Sequence, residues 1–262
     1  MGVFPWVAWY AFRRHTAYPL GSAAEAVTNT AFGFLRAYVL IALWQARPAL
    51  GGYDAADAVT FTFLTQALIG PVQIFGGMEL TDRIRSGAVA IDLYRPAGLQ
   101  SWWLADDLGR AAGALLLRGT LPMLAGALAF PLRLPGPAGL AAFTLSFLLA
   151  TLVGFALRYL VALGTFWLHD ERGLQAISLV LSLFLSGMIL PLVVFPGALG
   201  AAARALPWAA LIQVPAEVFL GRREGPRLVS ALAFQAGWAV VLLAAGALLT
   251  RRARRRLVIQ GG

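Results

Sequence analysis

The sequence predicts an all-α membrane protein with six transmembrane helices, and two observations support this prediction. First, 60% of the 262 residues are hydrophobic and only 13% are charged, whereas a soluble domain is typically about 45–50% apolar and about 25% charged. Second, the apolar residues form runs of about 20 residues, the length that a helix needs to cross a bilayer. The chain has no cysteine, which excludes a disulfide framework and a cysteine metal site.

Six apolar runs are candidates for the transmembrane helices. They are Ala26–Trp44, Val59–Met78, Ala111–Phe130, Leu140–Trp167, Leu174–Val194 and Leu228–Leu249. An even number of spans places both chain ends on the same side of the membrane. We therefore expect one transmembrane domain over residues 1–262, with short links between its spans.

The arginines predict which side that is. All 21 basic residues are arginine, and five of them follow the last span directly, in the sequence RRARRR. Positively charged flanks stay in the cytoplasm, so both termini are predicted to be cytoplasmic, with a basic tail over residues 251–262. Arg222, Arg223 and Arg227 run against this rule, because the link after span five is then external. The arginine-only, alanine-rich composition favours a GC-rich bacterial genome. The expected location is therefore the bacterial inner membrane.

The first 22 residues predict a helix that lies on the inner membrane surface. Their apolar part precedes Arg13 and Arg14, whereas a secretory signal begins with its positive charges. Aromatic residues followed by a basic end are typical of interfacial helices. The alternative is a frayed terminal tail.

The charged stretch GGMELTDRIRSGAVAIDLYRPAG, residues 76–98, predicts a short cytoplasmic amphipathic helix over 79–95. On a helix, one face would carry Leu80, Ile84, Gly87, Ala88 and Ile91. On the other face, the predicted ion pairs are Glu79–Arg83 and Asp82–Arg85. The segment is too short and too charged to cross a bilayer, so its polar face is free to touch a soluble partner. The alternative is an ordinary solvated loop.

A second unusual segment, residues 196–221, is apolar but interrupted by Pro207 and Pro215. Each piece is too short to span, so we expect outer re-entrant helices that enter the membrane partway and return. Glu217 is the one acid among these apolar residues. It is either a gate residue that contacts a cationic group or, alternatively, a partner of Arg204, Arg222 or Arg223.

Three arginines interrupt predicted spans, namely Arg36, Arg118 and Arg158. Counted from the cytoplasmic span ends, they lie about 12–17 Å deep. An unpaired arginine at mid-membrane costs at least about 2.5–3.5 kcal/mol. Either each side chain reaches the inner lipid headgroups, or the three line a shared vestibule that attracts anionic or amphipathic cargo.

Composition also excludes several functions. A phosphate-binding P-loop needs a lysine, and this chain has none. The two histidines are far apart, no metal site is expected, and no serine-hydrolase motif occurs, so we do not expect an enzyme. Nucleic-acid binding is not expected, because the arginines flank apolar spans and form no separate basic stripe.

Three motifs together resemble one protein family. They are the pattern E-x3-R-x-R-S-G-x4-D-L-x-R-P from Glu79 to Pro96, the run FLSGMILPLVVFPGALGAAARALPWAALIQVPAEVFLG at 184–221, and the turn WLHDERGLQ after span four. Together, and in their order along the chain, they resemble the six-span permease subunits of the ABC type-2 exporter family that carry no fused ATPase.

The resemblance implies a function and its partners. Such permeases act in pairs, like or unlike, and two separate ATPase subunits that bind ATP and Mg drive them, so no cofactor is expected in this chain. The segment after span two would be the coupling helix. The residues that the resemblance assigns to coupling are Glu79, Asp82, Arg83, Arg85, Gly87, Arg95 and Asp170. Cargo would be a drug-like, toxic or lipid-like amphipathic compound. The alternative is an ATP-independent channel or secondary transporter.

Overall fold

The computed structural model describes residues 2–48, 50–168 and 172–257. This part of the chain is all-helical, with about 80% of residues in helices and no strand among the residues described. Its α-helices are α1 (Phe4–Thr16), α2 (Pro19–Ala46), α3 (Ala55–Val72), α4 (Glu79–Arg85), α5 (Val89–Tyr94), α6 (Leu99–Ala114), α7 (Thr120–Ala129), α8 (Pro137–Gly164), α9 (Arg172–Leu185), α10 (Gly197–Ala205), α11 (Gln213–Phe219) and α12 (Pro226–Leu257).

Five helical segments are long and apolar enough to cross a membrane. They are α2, α3, α8, α12 and the continuous stretch Leu99–Ala129, in which the π-helical turn Leu115–Gly119 joins α6 to α7. These five correspond to five of the six predicted spans. They make the chain a multi-pass membrane protein.

The remaining predicted span, Leu174–Val194, is not one continuous helix. Helix α9 has 14 residues and ends at Leu185. Gly187 adopts a φ of 85°, which ends the helix because this conformation is unfavourable for residues with a side chain. The short 3₁₀ turn Leu192–Val194 follows Pro191. The apolar run therefore predicted the position of the fifth segment correctly and its length incorrectly.

Helix α3 is the most buried of the five long helices, and it packs against α2, α6, α7, α8 and α11. Its hydroxyl-bearing residues are satisfied within the helix. Thr60, Thr62 and Thr65 donate hydrogen bonds of 2.7–2.9 Å to the carbonyls four residues earlier. The main core around α3 includes the buried side chains Leu40, Trp44, Phe61, Leu68, Phe147 and Ile212.

Helix α1 corresponds to the predicted N-terminal helix, although it ends at Thr16 and α2 begins at Pro19. It packs closely along α6, where Gly109 allows the approach. A Cβ at Gly109 would overlap with the backbone carbonyl of Ala8. Its position on a membrane surface stays a prediction.

The two ends of the bundle carry different elements. The α4 end is the one where α3 finishes, where α4 and α5 lie and where α6 begins. At the opposite end, called the α11 end, lie α10, α11 and the start of α3. A hydrogen bond of 2.8 Å from the Trp44 indole to the carbonyl of Tyr53 joins α2 to the start of α3 there.

Candidate functional site

The segment after α3 contains two short helices instead of the single helix that we predicted over 79–95. α4 and α5 are joined by a turn at Gly87, whose φ of 75° breaks the helix. A Cβ at this position would meet nothing within 4 Å, so the glycine is required by the backbone conformation and not by space.

A bidentate ion pair locks α4 to α5. Arg83 donates from Nε and Nη2 to the two carboxylate oxygens of Asp92, at 2.6 and 2.8 Å. The Asp92 side chain is only 2% exposed. The hydrogen bond to Asp92 raises the pKa of the Arg83 guanidinium above its ordinary value. Arg95 approaches the same carboxylate at 3.3 Å and stacks over Trp102 of α6 at 4.4 Å.

The predicted pair Glu79–Arg83 is therefore replaced by Arg83–Asp92. Glu79 instead faces Arg14 of α1 at 3.6 Å, and Arg14 also contacts Asp106 of α6 at 3.2 Å. Sequence reasoning missed Asp92 and Arg14, because neither pairing follows from helical spacing. These contacts join the segment to α1 and α6.

The apolar side of the segment differs from the predicted face. Leu80 and Val89 are buried in a cluster with Phe155 and Tyr159 of α8. Ile91, which we placed on the same face, is 62% exposed, since the turn at Gly87 reorients α5. Helical periodicity fails across that turn.

The outward side of the segment forms a mixed surface, which we call the α4–α5 surface. It comprises Asp82, Arg85, Ile91 and Tyr94, all exposed. Tyr94 is 90% exposed. Asp170, predicted to share this surface, lies outside the described residues. An exposed aromatic and aliphatic pair flanked by charges is suited to contact another protein.

The three arginines within the predicted spans each have a protein partner. Arg36 of α2 donates to the carbonyls of Met188 and Ile189, the latter at 3.0 Å. It thereby joins α2 to the segment that follows α9. Arg118, in the π-helical turn, pairs with Glu25 of α2 at 2.6 Å. These contacts replace the predicted reach to lipid headgroups.

Arg158 belongs to a buried charge cluster. It donates to Asp107 at 2.9 and 3.0 Å and to the side-chain oxygen of Gln73 at 2.8 Å. Arg110 donates to the same Asp107 at 2.8 Å and to the carbonyls of Gly70 and Pro71 at the end of α3. Asp107 was not predicted, although an acid inside an apolar run, three residues from an arginine, is a usable signal.

Among the described residues, the three arginines have separate partners, and a vestibule that they share stays a prediction. Arg158 lines a cavity of about 310 Å³ beside α9, whereas Arg118 lines a different cavity of about 170 Å³ beside His15. Arg36 lines neither of these two.

At the α11 end, arginines and acids neutralise each other. Arg222 and Arg133 both pair with Asp57, the latter at 3.2 Å. Arg133 also pairs with Asp54, which caps α3. Although burial opposes ionisation of Asp54, the backbone N–H of Asp57 and the Arg133 guanidinium outweigh it and lower the pKa of this carboxyl.

Glu217 is also paired there. It accepts hydrogen bonds from Arg223 at 2.6 Å and from Gln213 at 2.8 Å. Arg223 is one of the partners that the alternative interpretation named, so the geometry favours pairing over a free gate residue. The sequence predicts that this end is external, and such pairs compensate the positive charges of Arg222 and Arg223 that run against that prediction.

Within the described ranges, no group of three or more histidines or acids is placed to hold a metal ion. The described geometry thus consists of charge pairs, an exposed surface on α4 and α5, and polar cavities at the α4 end.

Comparison with known proteins identifies the family. A family model described as ABC-2 family transporter protein matches residues 30–261. Comparisons with curated proteins and with solved structures yield no match. The match covers most of the chain and agrees with its five membrane-crossing helices. The chain therefore belongs to the ABC-2 transporter family, as a membrane permease component.

Proposed function

We propose that this chain is the permease subunit of an ATP-driven exporter and forms half of its translocation pathway. Two separate ATPase subunits drive alternating access, and a second permease, like or unlike, completes the pathway. The α4 end faces the cytoplasm and the α11 end faces outward, in a bacterial inner membrane. Family membership supports this proposal, as does the absence of lysine, which a phosphate-binding P-loop requires.

The observation that carries the proposal is the linkage of the α4–α5 surface to the bundle. The Arg83–Asp92 pair makes α4 and α5 one unit. That unit contacts α1 through Glu79, α6 through Arg95 and α8 through Leu80. A displacement imposed on the surface by an ATPase is therefore passed to three helices at once.

Co-purification from the native membrane in mild detergent tests the subunit plan. We expect an ATPase chain at stoichiometric level, together with a second permease if the pair is unlike. Recovery of this chain alone would contradict the proposal and favour a channel or secondary transporter. The isolated chain should show no ATP hydrolysis.

The docking role is tested by removing two charges from the segment. The double variant Arg83→Ala with Arg85→Ala removes the Arg83–Asp92 ion pair and one charge of the α4–α5 surface. Recovery of the ATPase should fall about tenfold, as for the loss of an interface hot spot. The matched control is Arg47→Ala with Arg227→Ala, which removes two exposed arginines at the α11 end. Equal ATPase recovery from both double variants would contradict docking at α4 and α5.

The cargo is proposed to be a drug-like, toxic or lipid-like amphipathic compound. The support comes from the mixed lining of the 310 Å³ cavity, in which polar and apolar side chains both occur. Stimulation of ATP hydrolysis by candidate compounds in the reconstituted complex would test this class of cargo.

A further inference from the structure

A cavity of about 310 Å³ lies between the end of α3, α8 and α9. This volume is at the lower end of the range for small-molecule sites. The polar side chains that line it include Gln73, Thr81, Arg158, Gln175, Ser178 and Ser182. The apolar side chains include Val72, Ile74, Leu157, Val161, Leu179 and Leu211.

Among the described residues that line this cavity, Arg158 carries a positive charge and none carries a carboxylate. Asp107 lies behind Arg158 but is shared with Arg110, so this three-residue cluster keeps one net positive charge. The Nε of Arg158 is buried and has no hydrogen-bond partner within the described part of the chain. An anionic group is therefore favoured here.

Helix α9 gives the cavity its amphipathic character. Gln175, Ser178 and Ser182 are three or four residues apart and share one helical face, which lines the cavity. Val180 is 52% exposed on the other side of the helix. A ligand bound here meets hydrogen-bond donors and aliphatic side chains together.

The cavity is joined directly to the link that leads into α4. Gln73 adopts a φ of 53°, and its side-chain oxygen accepts from Arg158. Its side-chain nitrogen donates to the carbonyl of Gly77 at 3.2 Å. A group that competes for Arg158 thus changes a contact two residues before α4 begins.

We propose that this cavity binds a single-chain amphiphile with an anionic headgroup. The headgroup interacts with Arg158 and with the polar face of α9, and the chain lies along Leu157, Val161 and Leu179. Binding itself needs no ATPase; only the assignment of this ligand as cargo rests on the proposed export function.

The cysteine-free sequence allows a direct test. Ser178→Cys places a single thiol in the cavity, and the matched control Val180→Cys places one on the exposed side of α9. Each variant is reconstituted in zwitterionic nanodiscs, and the rate of labelling by a thiol reagent is measured with and without lysophosphatidylglycerol. At about ten times the dissociation constant, labelling at 178 should slow about tenfold, whereas labelling at 180 should be unchanged.

Three further probes distinguish the ligand chemistry. Lysophosphatidylcholine and inorganic phosphate should each protect position 178 much less than lysophosphatidylglycerol. Equal protection by the zwitterionic lipid would overturn the anionic preference, and equal protection by phosphate would overturn the amphiphile. Without any ligand, the labelling rates of an anionic and a cationic methanethiosulfonate are compared at each position. The ratio of the anionic rate to the cationic rate should be higher at 178 than at 180. A lower ratio at 178 would contradict a positive cavity.

These readouts do not depend on transport. Protection at 178 in a chain that recruits no ATPase would uphold the binding site and contradict the export function. Absence of protection in a chain that does recruit an ATPase would contradict the site and leave the export function standing.

Discussion

Asp107 accepts from two arginines, and both arginines are largely buried. A charge inside a membrane protein is tolerated when a partner and hydrogen bonds replace its water. For Arg158 and Arg110, the partner is the Asp107 carboxylate, and further hydrogen bonds come from Gln73 and from the carbonyls at the end of α3. The neutralisation of these two buried arginines therefore depends on a single acidic side chain.

The change Asp107→Asn tests this dependence. It leaves two buried cations without a counter-charge, so we expect a loss of about 3–5 kcal/mol in the free energy of unfolding. The adjacent variant Asp106→Asn is the matched control, because it breaks only the exposed contact with Arg14 and should cost about 1 kcal/mol or less. Thermal unfolding in detergent compares them, and equal losses would contradict the role given to Asp107.

At this scale, the sequence identified which charges need partners but not which partners they have. Arg158 stands out because it interrupts an apolar run. Its partner Asp107 is 51 residues away, and only the packing of α6 against α8 brings them together. The same holds for Glu217, for which the sequence left several arginines open and the fold selects Arg223.

Helices α1 and α6 approach each other through small residues. Gly109 and Gly113 are four apart on α6 and lie under α1. The contact at Gly109 is backbone to backbone, at Ala8, whereas Gly113 faces only side chains of α1, at 3.4 Å or more. Close helix contacts of this kind are common in membranes, where small residues permit tight packing.

Two single variants, Gly109→Ala and its matched control Gly113→Ala, test this packing. The added methyl group at 109 meets a backbone carbonyl that has little room to move, so α1 should be displaced from α6. At 113 the methyl group makes ordinary contacts and should have little effect. Trypsin cleavage after Arg13 or Arg14 measures release of α1; equal cleavage in both variants would contradict the proposed contact.

At the scale of elements, periodicity and run length were enough to predict most helices. They could not predict the turn at Gly87 or the end of α9 near Gly187. Both glycines adopt positive φ values, 75° and 85°, that a sequence pattern does not specify. A prediction that lacks these two turns extends α9 too far and joins α4 to α5 as one helix.

The whole molecule carries arginines at both ends, but their surroundings differ. At the α11 end, Arg133, Arg222 and Arg223 are neutralised by acids. At the α4 end, α12 finishes with a run of arginines of which Arg251 and Arg252 are exposed. Uncompensated positive charge determines orientation, which supports a cytoplasmic α4 end.

Single cysteines can measure this orientation in intact cells. Ser86→Cys lies at the turn between α4 and α5, and Leu134→Cys lies in the exposed link between α7 and α8. A membrane-impermeant thiol reagent should label position 134 directly and position 86 only after permeabilisation. The opposite labelling pattern would reverse the proposed orientation.

The burial of α3 has a consequence for biosynthesis. Its most apolar window has a mean hydropathy of 1.2, against 2.2 for α8, yet 78% of that window is buried. The helix that the finished protein shields best from lipid is thus among those least able to enter lipid unaided. Its neighbour α2 is made first, and lies against it. We therefore expect α3 to insert efficiently only when α2 is still beside the translocon, so that the order of synthesis is part of the folding pathway.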